Sequence, residues 1–164
     1  MNEKIRIGEL IQRKLDENGQ KQKWLADKMQ CSESTISRMC KNQNINTNRL
    51  IPICKILKYN FFSDYVEYVE NRINGGNPTS PILSHSPISP NFTATEEIHI
   101  GKIIRKIKDE NGIKTNWLAK KIGCTEKNAY NLYKRKTIDT AQLVTISIYL
   151  KFNFFWIYTE YAKK

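Results

Sequence analysis

Histidine is nearly missing from this 164-residue chain. His85 and His99 are the two present, one in the Pro-rich stretch and one just beyond it, and neither has a second histidine or a cysteine nearby at ligand spacing. Four cysteines, Cys31, Cys40, Cys54 and Cys124, form no Cys-x-x-Cys pair, so burial as small apolar groups accounts for them better than ligation or catalysis. No Ser/His/Asp set and no Gly-rich phosphate loop occurs, which argues against an enzyme and leaves no cofactor or metal to expect. No segment is apolar for long enough to span a bilayer, and the opening MNEKIRIGE has no apolar run suited to a secretory signal; a cytoplasmic location is expected. Proline is scarce outside one stretch. Four of the five prolines lie from Pro78 to Pro90, among Gly75, Gly76 and many Ser, Thr and Asn. That composition cannot form a core, so residues 71–95 read as a flexible linker.

Acidic residues are also short in supply. Sixteen Asp and Glu against 27 Lys and Arg leave a formal charge of +11, divided as +3 over residues 1–70, +1 over 71–95 and +7 over 96–164. Such a balance favours a polyanionic partner, with the last part the more basic.

What is present is a repeat. Trp24/Trp117, Cys31/Cys124 and Phe61/Phe154 all lie 93 positions apart, and the two stretches align without a gap from Ile7/Ile100 to Tyr68/Tyr161. Length alone would allow one domain or two, and the repeat decides for two, residues 1–70 and 96–164. Each copy is near the lower size limit for a core without disulfides or metal. Ile7, Leu10, Ile11 and Leu15 share a helix face that stops at Gly19, and Ile100 to Asn111 with Gly112 repeats it. Thr95-Glu96-Glu97 could cap a slightly longer first helix in the second copy. Thr47 to Leu57 reads as a fourth helix, and Pro52 inside it means that it begins late, near Leu50, or is kinked. Thr145 replaces that proline, and Asp139 or Thr140 can cap the equivalent helix. Trp24 and Trp117 read as core mass, and the Phe61-Phe62 and Phe154-Phe155 pairs as closing each core, while Trp156 is open between core and interaction.

Between the first and fourth helices lies KWLADKMQCSESTISRMC. Leu25, Ala26 and Met29 form one helix face, Gln30 and Cys31 a turn, Ser32 an N-cap, and Ile36, Met39 and Cys40 a second face. The other side of that second helix carries Ser34, Thr35, Ser37, Arg38 and Lys41, short hydrogen-bonding groups followed by cations, suited to base edges and phosphates.

The spacing Gln22, Leu25-Ala26, Cys31-Ser32, Ile36-Ser37-Arg38 resembles the helix-turn-helix of the phage-repressor-like (Xre, or lambda-repressor-like) family. The second copy, with Trp117-Leu118-Ala119, Cys124, Tyr130, Tyr133-Lys134-Arg135, Ile138-Asp139-Thr140 and Asn153-Phe154-Phe155, is similar to a single-domain subgroup of such bacterial regulators. The resemblance implies an all-α chain of two small domains, about five helices each, and binding to double-stranded DNA by a transcriptional regulator. It places the second helix of each motif in the major groove. Ser34, Thr35 and Arg38 would then reach base edges, with Gln22, Ser37, Lys41 and Asn42 toward the DNA backbone. In the second copy Lys127, Asn128 and Asn131 would reach bases, with Thr115, Tyr130, Lys134 and Arg135 toward the backbone. The alternative is a protein-interaction module, an antitoxin or adaptor, that keeps the fold and has lost one or both DNA-binding faces. Since the two outward faces differ at every aligned position, one chain is expected to grip two unlike half-sites, its linker supplying avidity without any dimer contact. A homodimer through the aromatic segment near Trp156 is the other arrangement expected.

Overall fold

The computed structural model describes residues 4–75 and 97–163, which form ten helices and no extended strand. The first half holds α1 (Ile7–Glu17), α2 (Gln22–Lys28), α3 (Glu33–Lys41), α4 (Thr47–Leu57) and α5 (Phe61–Ile73). The second holds α6 (Ile100–Glu110), α7 (Thr115–Lys121), α8 (Glu126–Leu132), α9 (Thr140–Leu150) and α10 (Phe155–Ala162). The first four helices of each half begin 93 positions apart, as the periodicity predicts. Residues 76–96, which include Thr95 and Glu96 and most of the expected linker, lie outside the described residues. No described helix is long and apolar enough to cross a membrane.

α4 spans Thr47–Leu57, the stretch read as the fourth helix, and of the two effects expected of Pro52 the late start near Leu50 does not occur. α4 starts at Thr47, where Asn46 caps it by accepting the Asn48 N–H at 3.2 Å, so Pro52 sits inside the helix and does not delay its start. Asp139 caps α9 in the same way through the Ala141 N–H at 2.9 Å. α6 is as long as α1 and starts at Ile100, where His99 caps it: Nδ1 accepts the Lys102 N–H at 3.3 Å.

Each half positions its third helix with a glycine. Gly8 near the start of α1 donates its N–H to Asn42 O at 3.1 Å, and a Cβ there would lie 2.4 Å from Cys40 O. Gly101 repeats this, donating to Arg135 O at 2.9 Å with Leu132 O 2.4 Å from an added Cβ. Backbone so close leaves no room for any side chain, so the end of each third helix is pinned to the helix that crosses behind it.

The halves also share a seam, which the sequence did not foretell. Asn46 and Asp139 form an antiparallel bridge: Thr47 N–H donates to Ile138 O and Thr140 N–H to Ile45 O, both at 2.9 Å. The Ile138 N–H reaches Thr47 Oγ1 at 3.2 Å and the Ile45 N–H reaches Thr140 Oγ1 at 3.1 Å. Tyr158 donates its hydroxyl to Thr47 Oγ1 at 3.3 Å, and Tyr65 donates to Thr140 Oγ1 at 3.1 Å. Phe62 stacks on Tyr158 with ring centroids 5.0 Å apart, and Tyr65 stacks on Phe155 at 4.7 Å. Asn60 and Asn153 donate their amides to Thr159 O and Val66 O at 3.2 and 2.9 Å.

All four rings are buried. A ring of this size removes about 150–250 Å² from water, about 4–6 kcal/mol each at roughly 25 cal/mol per Å². Partners joined in one chain meet at about millimolar local concentration, where a contact of roughly 4 kcal/mol is half closed. A third of the rings' burial already exceeds that, so the halves form one body with a continuous core. Coupling without any contact between the halves therefore gives way to direct packing. Homodimerisation through the segment near Trp156 is not supported either, because its inner residues are used within the chain and Trp156 Nε1 donates to Glu70 Oε1 at 2.9 Å.

Candidate nucleic-acid interface

α2 and α3 meet at a turn that only a left-handed residue can make. Gln30 takes φ 53° and the Cys31 N–H returns to Ala26 O at 3.0 Å. In the second half Gly123 takes φ 71° and the Cys124 N–H returns to Ala119 O at 2.9 Å. Ala26 and Ala119 are buried, and their small side chains let each pair of helices approach closely. Ser32 opens α3 by accepting the Thr35 N–H at 3.3 Å, and Thr125 opens α8 by accepting the Asn128 N–H at 3.2 Å. Ile36, Met39 and Cys40 then face inward, as do Ala129, Leu132 and Tyr133.

The opposite face of α3 is where the sequence places it. Ser34, Arg38, Lys41 and Asn42 are exposed, and Thr35 and Ser37 are half-buried. The Ser34 and Thr35 hydroxyls lie 2.9 and 2.8 Å from Ser32 Oγ, so the first turn presents a linked group of hydroxyls. Gln22, half-buried at the start of α2, donates its amide to Gln12 Oε1 at 2.6 Å, which holds it against α1.

On the second half Lys127, Asn128, Asn131, Lys134 and Arg135 are exposed. Tyr130 projects with half its surface free, edge-on to Tyr133 at 6.0 Å. α8 ends at Leu132, and the Lys134 and Arg135 N–H groups turn back to Asn131 O and Leu132 O at 3.2 and 3.0 Å. These two cations therefore stand beyond the helix end, whereas Lys41 is still within α3. Thr115 departs from expectation. It is buried and its Oγ1 accepts the Tyr133 hydroxyl at 3.4 Å, so its side chain is turned away from the face it was expected to share. Burial holds the Tyr133 hydroxyl above its ordinary pKa, so it keeps the proton it donates to Thr115.

Trp24 is half-buried against the core, but Trp117 is 41% exposed, edge-on to Tyr149 at 6.2 Å and under Lys121 Nζ at 5.5 Å. The core reading holds for the first tryptophan and fails for the second. All four cysteines are free; Cys40 and Cys54 are buried and Cys31 and Cys124 half-buried. Burial pushes the Cys54 thiol up to about 11 and raises that of Cys40, so both remain protonated near neutral pH. Among the described residues no group of three His, Cys, Asp or Glu could hold a metal ion.

Sequence reasoning missed Thr47, Thr140, Tyr65 and Tyr158. The signal available was that these residues are identical between copies although the outward faces of α3 and α8 are not.

Residues 10–71 match the family model of the Cro/C1-type HTH DNA-binding domain. The match runs from within α1 to within α5 and supports the Xre-like helix-turn-helix reading of the first half, and with it a DNA-binding role. No curated protein and no solved structure matches the chain.

Proposed function

We propose that the chain is a sequence-specific double-stranded DNA-binding protein, a bacterial-type transcriptional regulator that reads the major groove with α3 and again with α8. The observation that carries this is the Cro/C1-type match over residues 10–71 on a motif whose outward face is polar and cationic. Arg38 projects from the second turn of α3, where a guanidinium can bond a guanine edge bidentately, and the hydroxyls of Ser34 and Thr35 lie before it. Lys41 and Asn42 at the helix end, Ser37 and Gln22 hold phosphates. The second half takes the same role because its helices recur at the same offset and its third helix exposes Lys127, Asn128 and Asn131. Tyr130, Lys134 and Arg135 contact its backbone, and Thr115 contributes no more than its place at the start of α7.

A second reading, a protein-interaction module, is favoured by the exposed Trp117–Tyr149 pair on the second half. Selection of bound duplexes from a random DNA library with the intact chain separates the two. Enrichment of a defined site is expected, and a library that emerges unenriched sinks the DNA-binding reading in favour of the protein partner.

A further inference from the structure

Resting on the DNA-binding reading, we propose that one chain is by itself the paired unit. The seam between the halves, and not the residues that join them, fixes the spacing of the two reading helices. One chain therefore occupies one operator whose half-sites are placed about a dyad yet differ in sequence.

The central contacts of the seam have the signature of an isologous interface, in which interactions recur with the partners exchanged; the Trp156–Glu70 bond at its edge does not recur, its counterparts being Ser63 and Lys163. Thr47 to Ile138 is answered by Thr140 to Ile45, Phe62 on Tyr158 by Phe155 on Tyr65, and Asn60 to Thr159 by Asn153 to Val66. In each exchange the residues differ by the same 93 positions that separate the copies. The halves are thus related by an approximate two-fold rotation. A dyad-symmetric duplex requires α3 and α8 to emerge on the same side of the molecule, and on the proposed pairing the axis of this rotation therefore runs out between the two outward faces. Repressors built on this motif set two identical helices about 34–36 Å apart by dimerising. Here the equivalent contact is satisfied within the chain, and the helices it places are unlike: Ser34 against Lys127, Thr35 against Asn128, Ser37 against Tyr130, Arg38 against Asn131.

The test has two arms. In the first, a protease site inserted between residues 76 and 96 is cleaved and the product is sedimented without DNA at about 10 μM. The halves are expected to travel as one particle. Thr47→Val with Thr140→Val, which removes the hydroxyls that accept across the seam, should raise the apparent dissociation constant of the cut chain at least tenfold. Halves that separate in the unsubstituted cut chain overturn the proposal even if the intact chain binds DNA.

The second arm needs no variant of the protein. With the selected operator, one chain per duplex is expected. Five base pairs added between the half-sites, about half a helical turn, should lower affinity at least 100-fold. Tolerance of the insertion, or a palindromic site holding two chains, overturns the fixed dyad. Halves that stay together in a chain that enriches no duplex overturn the operator and the DNA-binding reading together, and leave the seam standing.

Discussion

Set side by side, the two halves differ within their own interiors as well as on their outward faces, and agree at the centre of the seam they show to each other. Where the first half has Leu15, Gln22 and Cys40, the second has Lys108, Thr115 and Tyr133. These three exchanges compensate one another. Tyr133 fills more volume than Cys40 and gives its hydroxyl to Thr115. Lys108 lies 5.9 Å from the Tyr133 ring centre, donates to Ile113 O at 3.0 Å and pairs with Asp109. A buried ammonium is costly unless it is bonded on all sides, and here the ring, a carbonyl and a carboxylate surround it. The seam, by contrast, keeps Thr47/Thr140, Asn60/Asn153, Phe62/Phe155 and Tyr65/Tyr158 identical. A core can trade partners within one half, whereas a seam residue answers to its own copy across the two-fold.

The strongest way to break this comparison is at the rings. Phe62→Ala and Phe155→Ala should each cost about 3–5 kcal/mol, the range for deleting a buried phenylalanine, with similar shifts in denaturant midpoint because they occupy equivalent places. A difference larger than about 2 kcal/mol would mean that the seam is less symmetric than its hydrogen bonds suggest.

Gly8→Ala and Gly101→Ala form the next pair. Each would put a Cβ 2.4 Å from a backbone carbonyl oxygen, and backbone cannot move aside as a side chain can, so a loss of roughly 2–4 kcal/mol is expected for both. Thermal melts would show it. An unchanged melt for one of them would show that its first helix can slide away from the helix it pins.

Alkaline pH tests the tyrosines. Burial pushes the Tyr158 hydroxyl up to about 12 from an ordinary 10.0 and raises Tyr65 as well. The folded chain thus holds protons that the unfolded chain releases. Stability is fully present below pH 10 and is lost as pH rises from about 10 to 12, on the order of 3 kcal/mol for Tyr158 alone. Tyr158→Phe should flatten that part of the profile. A profile that keeps its slope would place the titration elsewhere.

On DNA, Arg38→Ala is expected to relax the preference at one position of the first half-site by about 1–3 kcal/mol, read by competition among single-base variants of the selected site. Asn131→Ala should relax a different position in the other half-site. Equal weakening of every sequence would move both residues to the phosphates. The smallest effect expected is on salt dependence. Lys134→Ala with Arg135→Ala should lower the slope of log affinity against log salt by roughly 0.9 for each phosphate that is no longer neutralised, and Lys41→Ala by half as much as the pair. A slope that the double substitution leaves unaltered would mean that these cations face solvent.

Much of the fold was legible because helical periodicity is a local property. Ile7, Ile11 and Leu15 announce α1, and Ser32 announces the start of α3. The outward face of α3 could be read for the same reason, since a residue that does not point inward on a helix against a core points outward. Three features were not legible. Pro52 left α4 open between a late start and a kink, and the Asn46 cap decides against the late start by opening the helix more than a turn before the proline is reached. Thr115 read as a surface residue because its burial depends on a hydroxyl 18 positions away. The aromatic segments read as core because apolar pattern alone does not say whether a ring turns toward its own half or the other. That distinction lay in a different comparison, which polar residues the copies share.

The seam also shapes how such a protein responds to its own abundance. A repressor assembled from separate subunits must first find its partner, so at low concentration its active form rises with the square of the number of chains, and its folding stability depends on dilution. A chain that carries its partner within itself has no such threshold. On the proposed pairing its melting point would be independent of concentration, and each molecule made would at once be a complete reader. Occupancy of a single site then follows a simple hyperbola, giving a graded dial in place of a switch.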